Sequence, residues 1–201
     1  MEHFQHTIAG WFTFPELYKI AAQYVPDGGH VVEIGAFLGK STSFMAVELF
    51  NSGKRVKFDV IDTWQGSPEH VETFKDLGYE PGDKNILYKE FLRHMEPVRH
   101  IINPLRTDSV TGGKLYPDES LDFVFIDAGH EYENVKNDLL TWYPKVKKGG
   151  FIAGHDYFFP SDPEHGHKYP GVKKAVDEFF TNIKADVLIS PAEYCWLYQV
   201  R

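Results

Sequence analysis

The sequence predicts an α/β fold in which helices cover both faces of a doubly wound, mostly parallel β-sheet. Short apolar runs rich in β-branched and aromatic residues alternate with longer amphipathic stretches, which favours right-handed βαβ units. Two strand-like runs follow each other within residues 185–200, which predicts an antiparallel edge. No repeat or linker divides the 201 residues, so we expect a single domain over 1–201.

The first part of the chain predicts two helix–strand units. Residues 15–24 begin with proline, which suits a first helical turn, and they give an N-terminal segment, 1–27, its helical character. A short apolar run predicts a strand over 30–34. The stretch that follows predicts a helix over 40–50, which ends at an Asn-Ser-Gly sequence. "VKFDVID" predicts the second strand, 56–62.

The later part of the chain continues the alternation after a stretch, 64–96, that shows no clear strand and is expected to form helices and loop. The remaining apolar runs are bounded by turn residues and the remaining amphipathic stretches are long enough for helices. The predicted elements are a weak strand over 100–105, a strand over 121–127, a helix over 134–146, a strand over 149–156, a helix over 171–180 and two strands around a Ser-Pro turn in 185–200.

Composition excludes several classes of protein. The formal net charge of −8 and the lack of a Lys/Arg run argue against binding to a nucleic-acid backbone. A single cysteine, Cys195, excludes an internal disulfide and fits a reducing compartment. The N-terminal residues do not resemble a signal peptide, and no apolar run approaches the ~20 residues of a membrane span. We therefore expect a cytoplasmic protein that binds neither nucleic acid nor a membrane.

Polar residues lie at the carboxyl ends of the predicted strands. In open parallel sheets, ligands bind beyond these ends. Four strand ends contribute, with Glu33 and Gly35 at the first, Asp62 at the second, Asp127 at a later one, and His155 with Asp156 at the next. This convergence predicts a binding site at one edge of the sheet.

The segment "VVEIGAFLGKST", residues 31–42, predicts a strand, a glycine-containing loop and a helix start. Gly35 and Gly39 permit a tight turn and the close approach of a ligand. Their G-x-x-x-G spacing matches neither a G-x-G-x-x-G motif nor a phosphate-binding P-loop, so a plain strand–helix turn is an alternative. Asp62 favours a cofactor that contains a nucleoside, because a carboxylate at the end of the second strand is placed to accept hydrogen bonds from ribose hydroxyls.

Asp108 and Ser109 follow the third predicted strand. A carboxylate at this point suits the amino group of adenine, and the hydroxyl suits a second contact. The alternative is an ordinary helix N-cap, for which aspartate and serine are both favoured.

The segment "FVFIDAGHEY" places Asp127 at a strand end and His130 three residues later. Asp127 is either a turn residue or, with His155 and Asp156, a ligand of a divalent cation that relieves the repulsion between two carboxylates. Oxygen ligands suit Mg²⁺, whereas an imidazole ligand favours Mn²⁺ or a similar metal.

These segments together resemble the class I S-adenosylmethionine-dependent methyltransferases. The resemblance rests on "VVEIGAFLGKST", "VIDTW", the run from "FVFIDAGHEY" to "GGFIAGHDY", and "YPGVKKAVDEFF", and it covers about residues 28–200. It is nearest to the branch of metal-dependent sugar O-methyltransferases that act in macrolide biosynthesis. The resemblance implies a Rossmann-like, seven-stranded sheet whose last strand is antiparallel.

The resemblance also implies roles for individual residues. Those expected to bind the cofactor are Glu33, Gly35, Ala36, Gly39, Lys40, Ser41, Asp62, Thr63, Asp108, Ser109 and Asp127. Asp127 and Asp156 are expected to bind the metal, and His130 to be the general base. The sugar O-methyltransferases carry a second carboxylate immediately before the Asp156 position, whereas this chain has His155, so His155 is the candidate third ligand.

The resulting hypothesis is transfer of a methyl group from S-adenosylmethionine to a sugar hydroxyl, such as that of a deoxyhexose, with Mg²⁺ or Mn²⁺ as the second cofactor. A catechol or other phenol is the alternative acceptor, and a nicotinamide-dependent oxidoreductase or a metal-dependent glycan-binding module represents a different class. Residues 64–96 and 157–170 are expected to close over the acceptor. The partners expected are a small-molecule or glycan acceptor and either a second copy of the chain or a larger glycan-modifying polypeptide.

Overall fold

A computed structural model of the chain describes residues 1–66, 75–78, 85–157 and 169–201. The strands are β1 (His30–Ile34), β2 (Lys57–Asp62), β3 (Ile102–Arg106), β4 (Leu121–Ile126), β5 (Val146–Gly154), β6 (Leu188–Ser190) and β7 (Cys195–Gln199). The α-helices assigned within the described residues are α1 (Pro15–Tyr24), α2 (Lys40–Asn51), α3 (Ile86–His94), α4 (Ser109–Gly113), α5 (Tyr132–Trp142) and α6 (Pro170–Asn182). None of these helices is both long and apolar enough to cross a membrane.

The seven strands form one sheet in the order β3-β2-β1-β4-β5-β7-β6. The five strands from β3 to β5 are parallel, and β7 lies antiparallel between β5 and β6. The predicted fold class is therefore confirmed, including its antiparallel edge. Strand β1 lies between β2 and β4. The chain adds β2 and β3 on one side of β1 and then crosses to add β4 and β5 on the other side. Such folds form a crevice at the point of this reversal.

Two apolar layers cover the faces of the sheet, as the alternation of side chains along a strand requires. Phe123 and Phe125 of β4 point into the layer that contains α1 and α2, where Phe14, Tyr18 and Phe44 are buried. The intervening β4 residues, Val124 and Ile126, point into the layer that contains α5 and α6. The buried residues of those two helices include Val135, Leu139, Trp142, Val176 and Phe180.

Several predicted boundaries shift for local reasons. The helix predicted over 134–146 is α5, which ends at Trp142 and passes into a 3-10 turn, because Pro144 cannot continue the helix. Strand β5 begins at Val146 instead of residue 149, and a register irregularity against β4 accommodates the Gly149–Gly150 pair. The stretch 64–96 contains α3, but 67–74 and 79–84 of it, and 158–168 of the second expected lid, lie outside the described residues.

A buried carboxylate joins β1 to the two helices above it. Glu33 is 1% exposed. It accepts hydrogen bonds from the Tyr18 hydroxyl of α1 (2.8 Å), from Ser41 Oγ of α2 (2.6 Å) and from Thr42 Oγ1. Burial raises the pKa of Glu33 from its usual 4.5 to about 7, although the three hydroxyl donors act in the opposite direction. Glu33 thus links β1 to α1 and α2 by hydrogen bonds, and its burial makes the ionised carboxylate energetically unfavourable.

The stability of the fold should therefore depend on the protonation of Glu33. A pKa that is raised in the folded state means that the folded protein binds the proton more tightly, so this stabilisation is full below pH 4.5 and is lost as the pH rises to 7. Between pH 5 and 8 the wild type should lose about 2 to 3 kcal/mol of unfolding free energy relative to Glu33→Gln. Urea unfolding at both pH values measures the difference. Glu16→Gln, at an exposed position of α1, is the control, and a wild type and Glu33→Gln variant with the same pH dependence would contradict the prediction.

Candidate active site

A cavity of about 610 Å³ lies at the carboxyl ends of the central strands. The residues that line it come from the loops after β1, β2, β3, β4 and β5 and from the N-terminal segment. The described stretches concerned are 10–13, 34–37, 61–64, 107–110, 127–130 and 155–156, with part of α5 and Tyr169. The predicted convergence of strand ends therefore corresponds to one cavity.

Asp62 fixes the loop after β1. Its Oδ2 atom accepts hydrogen bonds from the backbone N–H groups of Ala36 (2.8 Å) and Phe37 (2.9 Å), and its Oδ1 atom accepts one from Trp64 N (2.7 Å). Asp62 and Thr63 both line the cavity. A carboxylate can accept about four hydrogen bonds, so Asp62 keeps capacity for a ligand hydroxyl.

Gly35 brings the loop after β1 into contact with the end of β4. Its φ is +88°, and a Cβ atom built there would lie 1.9 Å from the carbonyl oxygen of Asp127. No side chain fits at this distance, and the left-handed backbone favours glycine in any case. The sequence requires glycine here because two backbones touch, and the contact puts Asp127 beside the loop.

The other residues predicted for the cofactor separate into two groups. Ala36, Lys40 and Ser41 line the cavity. Glu33 lies beneath the loop in the hydrogen bonds described above, and Gly39, with φ +90°, packs against Met95 and Phe91. Neither Glu33 nor Gly39 belongs to the cavity wall that the described residues form, so their geometry supports the loop and not a direct contact with a ligand.

Asp108 caps α4, as the alternative interpretation of its sequence stated. Its Oδ1 atom accepts a hydrogen bond from Thr111 N at 2.9 Å. The Thr111 hydroxyl and, after it, the Thr111 backbone N–H lower the pKa of Asp108 by hydrogen bonding to its carboxylate. Asp108 and Ser109 also line the cavity, so a cap and a ligand contact are compatible. Ser109 Oγ accepts a hydrogen bond from the Trp142 indole (2.8 Å), which joins α4 to α5.

Two carboxylates and two imidazoles form a cluster at the ends of β4 and β5. His130 Nε2 lies 2.9 Å from Asp156 Oδ2 and 4.0 Å from Asp127 Oδ1. His155 Nδ1 lies 3.3 Å from Asp156 Oδ1 and 3.7 Å from Asp127 Oδ1. Asp156 is buried and has a φ of +61°, which is uncommon for a residue with a side chain. Backbone strain of this kind is frequent at functional sites.

The carboxylates and imidazoles of the cluster shift one another's pKa values. Burial alone would lower the pKa of His130, but the hydrogen bonds and negative charges of Asp127 and Asp156 outweigh it and raise the pKa to about 11. The pKa of His155 is raised too, since the two carboxylates again outweigh burial. The two imidazoles lower the pKa of Asp156 against the effect of its burial. In this arrangement the contacts favour the protonated form of both histidines and the ionised form of Asp156.

Neighbouring residues orient the two imidazoles. Tyr169 stacks on the His130 ring, with centroids 4.0 Å apart and planes at 27°. Thr13 Oγ1 lies 2.8 Å from His155 Nε2, which leaves Nδ1 of that ring facing the carboxylates. His155 therefore has one nitrogen engaged by the N-terminal segment and the other directed at the cluster.

Potential ligand atoms of Asp127, His130 and Asp156 all lie within 4.8 Å of one another. This set contains His130, which the sequence interpretation assigned as the base, and it does not contain His155, which was assigned as the ligand. The difference arises from side-chain orientation, which residue spacing does not determine. Both histidines therefore lie beside the two carboxylates. His130 forms the tighter group of potential ligand atoms with them.

Two features of the cavity were missed by the sequence interpretation. Trp11, which the sequence interpretation did not place at the site, is 55% exposed and lines the cavity, whereas Phe14 and Trp142 are buried. The second feature is a polar face of α5, formed by Asn134, Asn137 and Asp138, which also lines the cavity. Their spacing of three and four residues was a usable signal, because such residues share one side of a helix.

Comparison with known proteins identifies the family. The family model described as "Methyltransferase domain" matches residues 32–157, which is more than half of the chain. The uncharacterized protein R132 of Acanthamoeba polyphaga mimivirus is 28% identical over 172 residues, or 86% of this chain and 68% of that protein. The uncharacterized protein y4gI of Sinorhizobium fredii is 25% identical over 126 residues, or 63% of this chain but only 13% of that protein.

Solved structures show the same fold. The O-methyltransferase NovP has a TM-score of 0.64 at 22% identity, covering 92% of this chain and 78% of its own. CalS11, described as a TDP-rhamnose 3'-O-methyltransferase, has a TM-score of 0.60 at 17% identity, covering 92% and 77%. The Podospora anserina methyltransferase PaMTH1, solved with S-adenosylhomocysteine bound, has a TM-score of 0.57 at 16% identity, covering 93% and 77%. By its family match the chain belongs to the methyltransferases, which confirms the S-adenosylmethionine-dependent methyltransferase predicted from its motifs.

Proposed function

We propose that the protein is a divalent-cation-dependent O-methyltransferase whose acceptor is a sugar hydroxyl. The observation that carries this proposal is that one cavity contains both the loop held by Asp62 and the cluster in which His130 and His155 lie against Asp127 and Asp156. The structural likeness to NovP and to CalS11, whose description names a TDP-rhamnose acceptor, supports an oxygen acceptor on a sugar. A catechol or other phenol is the alternative acceptor.

The cofactor is proposed to lie along the edge of the sheet. S-adenosylmethionine supplies an activated methyl group on a sulfonium. Asp62 of β2 and Asp156 after β5 are three strand positions apart, which corresponds to about 14 Å at ~4.8 Å per strand. This separation suits a long ligand whose ribose meets Asp62 while its sulfur lies near Asp127. Gly35 and the backbone of Ala36 would face the middle of such a ligand.

The donor set fits a divalent cation. Asp127 and Asp156 offer carboxylate oxygens, and either His130 or His155 offers an imidazole nitrogen within the same cluster. Among the described residues, the partners of the two carboxylates that could carry a positive charge are these imidazoles, and a bound cation would take over that role. We propose Asp127, Asp156 and His155 as the residues that hold it. When bound, a divalent cation makes a neighbouring hydroxyl more acidic.

His130 is proposed to remove the proton from the acceptor hydroxyl. Its Nε2 atom faces the cavity between Asp127 and Asp156, and stacking on Tyr169 fixes its ring. Imidazole is the side chain best suited to accept a proton near neutral pH once it is itself neutral. Compensation of the two carboxylates by a cation removes the charges that keep His130 protonated. The metal site and the base are in this way linked through the same two aspartates.

The acceptor is proposed to be enclosed by the two segments predicted as lids. Described residues at the borders of these segments, namely Trp64, Leu87 and Tyr169, line the cavity. We also propose that residues 1–201 form a single domain with lids over 64–96 and 157–170. The proposed location is cytoplasmic, and the proposed assembly is either a homo-oligomer or a place within a larger polypeptide.

Replacement of Asp62 should weaken cofactor binding. Asp62→Asn loses a charged acceptor for three backbone N–H groups and for a ribose hydroxyl, so the dissociation constant of S-adenosylhomocysteine should rise by tenfold or more, about 1.4 kcal/mol. Asp108→Asn is the matched control, because asparagine caps a helix as well as aspartate does. Titration calorimetry measures both variants. Equal affinity in the two variants would remove Asp62 from the cofactor site.

Removal of divalent cations should abolish methyl transfer. Protein treated with a chelator should regain activity with Mn²⁺ or Mg²⁺, and Asp127→Asn and Asp156→Asn should need far higher metal concentrations. The assay is transfer of a labelled methyl group to a panel of deoxyhexosides and catechols, and it also decides between sugar and phenol. Full activity after exhaustive metal removal would refute the metal dependence.

Replacement of His130 should separate its role from that of His155. His130→Ala should lower turnover by about 10²- to 10⁴-fold, the usual contribution of a general base, while the affinities for Mn²⁺ and S-adenosylhomocysteine change little. His155→Ala should instead weaken Mn²⁺ binding, as measured by electron paramagnetic resonance. If His130→Ala loses Mn²⁺ affinity and recovers its turnover at high Mn²⁺ concentration, His130 is a ligand and the assignment is wrong.

A further inference from the structure

The polar face of α5 contributes a buried acid to the cavity. Asn134, Asn137 and Asp138 line the cavity, while Leu139 and Trp142 on the other side of the helix are buried in the core. Asp138 is only 4% exposed, which is unusual for an aspartate. None of the roles described above uses it.

Asp138 has one side-chain partner among the described residues, the hydroxyl of Ser109. Ser109 Oγ already accepts a hydrogen bond from the Trp142 indole, so its single proton is directed to Asp138. A carboxylate offers about four acceptor positions, and Ser109 occupies one of them. Burial raises the pKa of Asp138 to about 6, against the effect of the Ser109 hydrogen bond. An acceptor shielded from water is thus left facing the cavity.

Asp138 contacts Ser109, and this contact indicates which side of the cavity it faces. Ser109 follows β3, and β3 lies four strand positions from β5, a separation of about 19 Å. If the sulfur of the cofactor lies beside Asp127, its nucleoside base must lie toward Ser109. Apolar side chains of Ile61, Leu87 and Val110 line the same end of the cavity and suit the faces of a flat ring.

We infer that Asp138 determines specificity for adenine by accepting a hydrogen bond from the exocyclic amino group of the base. This inference rests on the proposed binding of S-adenosylmethionine in this cavity. A base with a carbonyl oxygen at that position would place two acceptors against each other, which a buried site rejects strongly. Asp108, the acid that the sequence suggested for this contact, is exposed and its Oδ1 atom caps α4.

The test compares two ligands that differ at this edge of the base, where the inosyl ligand has a carbonyl oxygen at C6 and a proton on N1. Calorimetry gives the dissociation constants of S-adenosylhomocysteine and of S-inosylhomocysteine, in which a carbonyl oxygen replaces the amino group. The wild type should prefer the adenosyl ligand by at least about tenfold. Asp138→Asn should reduce this preference by about tenfold or more, because its amide can donate a hydrogen bond to the carbonyl. Asp108→Asn and Asn137→Ala are the controls and should keep the wild-type ratio.

The ratio of the two dissociation constants distinguishes a residue that recognises the base from one that only orients Ser109. A residue that only orients Ser109 would weaken both ligands equally, so an unchanged ratio in Asp138→Asn overturns the inference, as does a loss of the preference in Asp108→Asn. Circular dichroism melting checks folding, and Asp138→Ser serves if the amide variant does not fold, with the same expected loss of preference. Failure of the wild type to bind S-adenosylhomocysteine would overturn the proposed cofactor, and this inference with it.

Discussion

The contact between the backbones of Gly35 and Asp127 is the constraint on which the site depends. A Cβ atom at Gly35 would lie 1.9 Å from the Asp127 carbonyl oxygen, so only glycine lets the loop after β1 pass the end of β4. These strands are neighbours at the point where the chain reverses the order in which it adds strands. The contact therefore holds the loop after β1, which we propose to bind the cofactor, beside Asp127, the first acid of the proposed metal site, in one crevice.

The acidic residues around this contact differ in how their charges are satisfied. Glu33 receives three hydroxyl hydrogen bonds from α1 and α2, and Asp62 receives three backbone N–H groups, so both serve the scaffold. Asp127 and Asp156 have two histidines as partners, and we propose that a cation can take the place of this compensation. Hydrogen bonds from the chain thus satisfy Glu33 and Asp62, whereas the proposed chemistry rests on the acids that are paired with histidines.

The sequence was sufficient for those elements whose signals are local. Strand β1 was predicted over 30–34 and the structure has His30–Ile34, because an apolar run bounded by glycines is unambiguous. It was insufficient where tertiary packing decides. The start of β5 depends on its pairing with β4, the choice between His130 and His155 depends on side-chain orientation, and Asp138 comes to line the cavity only when α5 packs on α4. The sequence pattern also did not indicate that Glu33, which the resemblance implied as a cofactor contact, is buried beneath the loop.

The central claim is that the cation and the cofactor share the cavity created by the Gly35–Asp127 contact. Crystals of the protein grown with Mn²⁺ and S-adenosylhomocysteine test it most directly, through anomalous diffraction at a wavelength where manganese scatters. The account predicts an anomalous peak within bonding distance of the Asp127 and Asp156 carboxylates, with the ribose beside Asp62 in the same cavity. A peak that contacts neither aspartate, or a ligand bound outside this cavity, would contradict it.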